Sequence, residues 1–187
     1  GTFAARAYRL VGGTDVSLAY RRDGAQNDVG FSLSRVFGES LELHAEVART
    51  THVRAVIGGQ YTLPRNVNVV VELYHGTDGL TAMQWNAFRD SVAGDLRGAN
   101  ARYVPLTMAR TYALTRIAKP FSKVETELIT ITNLRDGSTL VRGAATVKVH
   151  PNLALYVIDT ELVGGRSSEL EYLQVERITS AGLRVYF

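Results

Sequence analysis

The stretch Leu41-Glu42-Leu43-His44-Ala45-Glu46-Val47 alternates apolar and polar residues without a break. Successive side chains of a β-strand point to opposite faces, so this period of two predicts a strand with one apolar and one polar face. The same period recurs in Val67–Leu73 and in Val141–Val149. The alternation predicts an all-β protein.

Eleven segments with strand character follow one another along the chain. They lie near residues 2–10, 15–22, 28–36, 40–50, 53–63, 66–75, 107–117, 123–133, 139–149, 152–163 and 175–187. Most span about ten residues, which is the length that a tilted strand needs to cross a bilayer, whereas strands of soluble proteins mostly span about five or six. Segment length therefore favours a transmembrane β-barrel.

The connections between these segments fall into two alternating sets. Tight turns are predicted at residues 11–14, 37–39, 64–66, 118–122 and 150–152, and more polar, often longer loops at 22–28, 49–52, 76–106, 134–138 and 164–174. Short turns on one side and longer loops on the other are typical of an up-and-down barrel of the outer membrane. A soluble β-sandwich, which has no reason to keep this alternation, is the alternative fold.

Composition narrows the functional classes. The chain of 187 residues has 21 Lys and Arg against 18 Asp and Glu, and the two signs are interspersed. This small net charge argues against nucleic acid as the main partner. The chain has no cysteine, which excludes disulfide frameworks, thiolate metal sites and thiol catalysis. No apolar run is long enough for a transmembrane helix.

One segment breaks the period of two. From Leu80 to Gly98 the apolar residues recur at helical spacing, and the stripe comprises Trp85, Phe88, Val92 and Leu96. Asp78 or Thr81 would cap this helix. We expect a short amphipathic helix inside the long loop 76–106, packed either on the inner wall as a constriction, on a neighbouring subunit of a homo-oligomer, or on an occupant protein.

The last residues of the chain carry a family resemblance. Ser180, Gly182, Val185 and Phe187 match the pattern of a polar residue, glycine, hydrophobic residue and terminal aromatic residue at the spacing of the β-signal. The C-terminus therefore resembles that of bacterial outer-membrane, porin-like β-barrels.

This resemblance implies an integral protein of the Gram-negative outer membrane. Its lipid-facing strands would be folded by the barrel-assembly machinery, and its C-terminus would be periplasmic. Bacterial single-chain barrels have an even number of strands, with both termini on the periplasmic side. Eleven strands leave two sheet edges unpaired, so we expect residues 1–187 to be the C-terminal part of one larger barrel domain. An odd number of preceding strands, from the same precursor or from another chain, would close it.

Alternation along the strands predicts which side chains line the lumen. The predicted lumen-lining residues, which would set ion selectivity, are Glu42, His44, Glu46, Arg54, Glu72, Arg142, Lys148, Asp159, Glu161 and Arg184. The predicted lipid-facing residues are Leu43, Val69, Val71, Val147 and Ile158. Glu42, His44 and Glu46 also have the spacing of metal ligands, but a polar lumen wall explains them without a metal.

The sequence thus predicts a pore for small hydrophilic solutes, without catalysis, cofactor or metal. A first alternative is a structural or conduit barrel that sheaths a partner protein. A second is an outer-membrane hydrolase that uses His75, which lies near Asp78 where the long loop begins.

Overall fold

The strands of the protein form one antiparallel sheet in sequence order. The computed structural model describes residues 1–94, 106, 108–165, 167–170 and 176–186. The strands are β1 Thr2–Val11, β2 Thr14–Asp23, β3 Gln26–Phe37, β4 Leu41–Arg49, β5 Val53–Leu63, β6 Val67–Gly76, β7 Thr111–Pro120, β8 Val124–Asn133, β9 Thr139–His150, β10 Leu153–Val163 and β11 Arg177–Val185. The predictions of an all-β fold and of an eleven-stranded up-and-down sheet are confirmed.

The sheet is open. Within the described residues, β1 and β11 each pair with a single neighbour, β2 and β10. In an antiparallel meander all odd-numbered strands run in the same direction, so these two edge strands point the same way. They would have to pair in parallel if they met directly, whereas every other pair in the sheet is antiparallel.

The connections lie at two ends of the sheet. At one, the turn end, consecutive strands are joined by tight turns. The β1–β2 hairpin closes through Gly12 and Gly13, whose φ angles of 56° and 78° lie in the left-handed region that such a two-residue turn requires. At the other, the loop end, lie the long connection from β6 to β7 and the connection between β10 and β11. Strand β7 begins at Thr111, later than predicted, and includes Lys119 and Pro120 of the predicted turn 118–122.

The register sorts the side chains into two faces. One, the apolar face, contains Leu43, Val71 and their cross-strand partners, and its large side chains are exposed, including Ile57 at 60% and Val71 at 52%. The other, the polar face, contains Glu42, His44 and Glu72. The buried strand residues all lie on the polar face: Ser17, Gly76, Tyr112, Asn133 and Ala154. This asymmetry indicates that the sheet curves with its polar face on the concave side.

The register groups most of the residues that the sequence analysis assigns to one side of the sheet on a common face. Leu43, Val69, Val71 and Val147 share the apolar face. The polar face carries eight of the predicted lumen residues: Glu42, His44, Glu46, Arg54, Glu72, Arg142, Lys148 and Arg184.

The assignment of β10 is wrong. Asp159 pairs with Gly143 and Thr179, and this register places Asp159 and Glu161 on the apolar face, toward the loop end. Asp159 is held there by Arg177, whose Nε and Nη2 donate to its carboxylate at 2.9 and 2.8 Å. Ile158, predicted to face lipid, lies on the polar face instead.

A helix, α1 Ala82–Gly94, lies in the long connection, as predicted. Thr81 begins it with a capping box: the Gln84 amide donates to Thr81 Oγ1 at 3.2 Å, and the Thr81 amide donates to Gln84 Oε1 at 2.8 Å. Leu96 and Phe187, and the side chain of Val92, fall outside the described part of the chain. Among the described residues, no helix is long and apolar enough to span a membrane.

Candidate functional site

The polar face is a wall of paired charges. Glu127 accepts from two guanidinium groups, Arg116 Nε at 2.6 Å and Arg142 Nη1 at 2.9 Å. The register explains the triad, because Arg116 and Arg142 flank Ile129 on adjacent strands, and Glu127 lies two residues away on β8. Lys148 Nζ donates to Glu125 at 2.5 Å nearer the turn end. Arg142 and Lys148 of the predicted lumen set are thus held in place by carboxylates that the sequence analysis does not single out.

The acidic part of the wall lies on β4 and β6. His44 Nε2 lies 3.2 Å from Glu72 Oε1, and Ser34 Oγ donates to Glu42 Oε1 at 2.8 Å. Glu42, His44 and Glu46 share the polar face but do not converge on one point. Within the described ranges, no group of three such side chains could hold a metal ion.

Two further arginines of the predicted lumen set lie at opposite ends of the face. Arg54, near the loop end, donates from Nε to Asp78 Oδ2 at 3.0 Å and from Nη2 to the same oxygen at 2.5 Å. The hydrogen bond from Arg54 lowers the pKa of the Asp78 carboxyl below its ordinary value. Arg184, near the turn end, places its guanidinium carbon 5.7 Å from the centre of the Tyr156 ring.

A buried network of loop residues covers the polar face at the loop end. Glu169, in the β10–β11 connection, is fully buried. Its carboxylate accepts from Tyr112 Oη at 2.9 and 2.7 Å, from Asn133 Nδ2 at 2.8 Å and from the Met108 amide at 3.2 Å. Because Tyr112 and Asn133 are polar-face residues of β7 and β8, these bonds fix the β10–β11 loop across the concave side of the sheet.

Helix α1 is attached to the same loop. Trp85 is 4% exposed, and its Nε1 donates to the carbonyl oxygen of Ser167 at 3.1 Å. The Arg135 guanidinium lies 4.8 Å from the Trp85 ring, and Phe88 stacks on that ring at 5.6 Å between centroids. We call this assembly of α1, residues 134–138 and residues 167–170 the cap. Trp85 of the predicted stripe therefore packs on the protein's own loops, and Phe88 packs on Trp85.

Two carboxyls of the cap have opposite pKa shifts. Burial raises the pKa of Glu169 above its ordinary value, and the hydrogen bonds that it accepts offset this only in part. Burial also acts to raise the pKa of Asp136, but hydrogen bonds from Ser138 and from the Glu169 amide, together with the Arg135 charge, outweigh it and lower that pKa. The cap thus contains one carboxyl whose pKa is raised and one whose pKa is lowered.

His75 and Asp78 have different partners among the described residues. His75 Nδ1 lies 2.9 Å from Thr111 Oγ1, and the register places His75 on the apolar face. Asp78, its predicted partner, is bound by Arg54 instead.

The comparisons give no family for the chain. Neither the models of known protein families nor the curated proteins contain a match to this sequence. Function therefore has to be inferred from the two faces of the sheet and from the cap.

The contacts of the cap could not be predicted from the sequence. Glu169 lies in a loop, and its partners Tyr112 and Asn133 are distant in sequence. The one local signal was Trp85 in the helical stripe, which predicted a packed helix but not its contact.

Proposed function

We propose that the chain forms a large part of the wall of an outer-membrane β-barrel pore for small hydrophilic solutes. The observation that carries this proposal is the contrast between the two faces. Large aliphatic side chains are half exposed on the convex side, whereas paired charges line the concave side. A soluble sandwich buries its apolar face against a second sheet, while a barrel in lipid presents it outward.

The distribution along the apolar face fits a lipid belt. Leu18, Phe31 and Ile57 lie in the middle of their strands, whereas Arg22 and Arg177 of this face lie toward the loop end. Asp159 lies closer to the middle of β10, where Arg177 pairs with its charge. A charged side chain on the lipid face destabilises a barrel most near the bilayer centre and least at the membrane interfaces. The belt therefore marks the proposed membrane-spanning zone.

The open edges call for additional strands. Unpaired amides of β1 and β11 would be costly in lipid, so the barrel must be closed by other strands. Since β1 and β11 run in the same direction, an odd number of strands between them restores antiparallel pairing at both edges. We propose that a segment of the same precursor or a second chain supplies them.

The arrangement of β11 supports the assembly signal. Ser180 and Gly182 lie on the polar face and Val185 on the apolar face, as the resemblance requires. One side of β11 has no strand beside it in the described chain, so its backbone is available to the assembly machinery. The turn end, where β11 ends, would then be periplasmic.

The cap gives the pore its constriction. Glu169 fixes the β10–β11 loop on the concave face, and Trp85 fixes α1 to that loop. A helix held in this position narrows the loop end of the lumen. The cap thereby favours the inward position over a subunit or partner contact.

Single-channel recording in planar bilayers tests the proposal, with the full protein reconstituted from detergent. We expect ion conductance, and a larger conductance for Trp85→Ala because α1 loses its anchor. Met83→Ala is the matched control, since Met83 lies on the same helix and is 82% exposed. If the protein never conducts but co-purifies with one stoichiometric partner, the pore function is wrong and the conduit barrel is the better explanation.

A further inference from the structure

Two opposite charges of the polar face, on Arg6 and Glu46, have no ion pair among the described residues. Arg6 Nε donates to Ser17 Oγ at 2.7 Å, and among the described residues Arg6 makes no ion pair. Glu46 has neither an ion pair nor a side-chain hydrogen bond within the same part of the chain. Elsewhere on this face, His44 and Glu72, or Lys148 and Glu125, are in direct contact.

Arg6 and Glu46 line one cleft near the loop end. The cleft has a volume of about 330 Å³, at the lower end of the range of roughly 300–1,000 Å³ that small-molecule sites occupy. Ser17, Ala19 and Gly30 form part of its lining. These small side chains leave open the space between the two charges.

The strand register explains why the side chains of Arg6 and Glu46 do not meet. Arg6 pairs with Ala19, Ala19 with Gly30 and Gly30 with Ala48, while Glu46 lies two residues beyond Ala48 on β4. Strands β1 and β4 are three spacings apart, or about 14 Å. The two side chains therefore face one another across the cleft without meeting.

The charge balance of the cleft selects the ligand class. Arg54 also lines it, but Asp78 neutralises this guanidinium at 2.5 Å. Of the charged side chains that line this cleft, Arg6 and Glu46 are the two without an ion pair among the described residues. Both also line the adjoining cleft toward the turn end, where Asp15, Glu42 and His44 have partners of their own in Tyr8, Ser34 and Glu72. A simple anion would meet Glu46 and a simple cation would meet Arg6, whereas a small zwitterion satisfies both.

We propose that this cleft binds a free α-amino acid, with its carboxylate on Arg6 and its ammonium group on Glu46. A guanidinium holds a carboxylate through two parallel N–H···O bonds, and the Glu46 carboxylate accepts from the ammonium protons. The hydroxyl of Ser32, next to Glu46 in the register, is a further hydrogen-bonding group. The inference rests on the proposed pore function, because it names a solute class for that pore.

Equilibrium binding to the full protein in detergent micelles tests the proposal, by isothermal titration with L-alanine. L-Lactate replaces the ammonium group by a hydroxyl, and alaninol replaces the carboxylate by an alcohol. We expect each probe to bind at least about tenfold more weakly than alanine, which corresponds to about 1.4 kcal/mol. Arg6→Gln should abolish the difference between alanine and alaninol, and Glu46→Gln the difference between alanine and lactate.

Arg9→Gln is the control, because Arg9 lies on the same strand but on the apolar face. It should leave all three affinities unchanged. Equal affinities for alanine and lactate would show that the cleft binds anions in general. If alanine does not bind at all, the cleft is not an amino-acid site. Either result overturns the proposal. Binding in micelles does not depend on conduction, so the two proposals can fail separately. If the protein conducts but does not bind alanine, only the amino-acid site is wrong. If it binds alanine but does not conduct, only the proposed pore function is wrong.

Discussion

His44 Nε2 and Glu72 Oε1 lie 3.2 Å apart although their strands, β4 and β6, are not neighbours. Gly58 of the intervening strand pairs with both residues, and its missing side chain leaves the passage through which they meet. A Cβ atom at position 58 would lie 2.6 Å from the Val71 carbonyl oxygen and 2.7 Å from Glu72 Cγ. Contact between His44 and Glu72 therefore requires a glycine at position 58, because no side chain fits between them.

Gly58→Ala should lower the free energy of unfolding by about 1–3 kcal/mol, the usual cost of overpacking a tight site. Denaturant unfolding followed by tryptophan fluorescence measures this. Gly143→Ala is the matched control, since no atom lies within 4 Å of the added methyl group, and it should be neutral or stabilising by up to about 1 kcal/mol. Equal effects of the two substitutions would show that position 58 has no special need for glycine.

Gly182 has a similar relation to Tyr156, its direct cross-strand partner on β10. A Cβ atom at position 182 would lie 2.6 Å from Tyr156 Cζ, so the ring lies across the glycine. We expect Gly182→Ala to destabilise the protein by about 1 kcal/mol, less than Gly58→Ala because the Tyr156 ring can shift whereas the Val71 carbonyl cannot. Tyr156→Ala should remove most of that cost in the double variant.

This double-mutant cycle separates packing from recognition of the assembly signal. Stability is measured on refolded protein, and assembly on the fraction inserted in cells. If Gly182 serves the signal as well, insertion stays impaired in the double variant while stability recovers. An additive cycle in the stability measurement would contradict the packing role.

Strict alternation made most strands and their facing predictable. In β4 apolar and polar residues alternate from Leu41 to Val47, and in β6 Glu72 lies between Val71 and Leu73, so the faces of Leu43 and Glu72 follow from the sequence alone. In β10 both Val157 and Ile158 are apolar, and the period no longer distinguishes the faces. The rule that charged residues point inward then misplaced Asp159, which pairs with Arg177 at the loop end of the apolar face.

Contacts between distant segments were not predictable. The His44–Glu72 pair depends on the register of three strands, and the Glu169 network joins a loop to two strands that precede it by many residues. A single sequence carries no signal of such pairings, because neither residue type nor local spacing marks them. The helix was predictable because Thr81 and the aromatic stripe act locally.

Substitution of an apolar-face residue by arginine tests the lipid belt. Ile57→Arg should cost about 2–4 kcal/mol when unfolding is measured in phospholipid vesicles, because the charge would lie near the middle of the bilayer. Val56→Arg is the control on the adjacent residue, which faces the polar side next to Glu46 and Tyr74. A soluble sheet would behave differently, because Ile57 is already 60% exposed and an arginine there would cost little. Equal costs for the two variants would argue against a lipid-facing role of the apolar face.

The buried carboxyl of Glu169 should make the cap sensitive to pH. Since burial raises its pKa above the ordinary value of 4.5, the closed cap binds the proton more tightly than the open one. Its contribution to cap stability is full below pH 4.5 and is lost as the pH rises through the raised pKa. Asp136, whose pKa is lowered from 3.8, acts in the opposite sense: its contribution is present above pH 3.8 and is lost in stronger acid. The Arg135 guanidinium lies 3.7 Å from Asp136.

Hydrogen–deuterium exchange of the Met108 amide reports on this change, because that amide donates to Glu169 Oε1 at 3.2 Å. After correction for the intrinsic pH dependence of exchange, we expect its protection to fall as the pH rises above 4.5. Glu169→Gln keeps the shape of the side chain but cannot ionise, so its protection should not vary over this range. Asp136→Asn should retain the loss above pH 4.5 and abolish the loss in stronger acid. Protection that grows with pH in the unmodified protein would mean that Glu169 is charged in the closed cap, held by Tyr112 and Asn133 strongly enough to outweigh its burial.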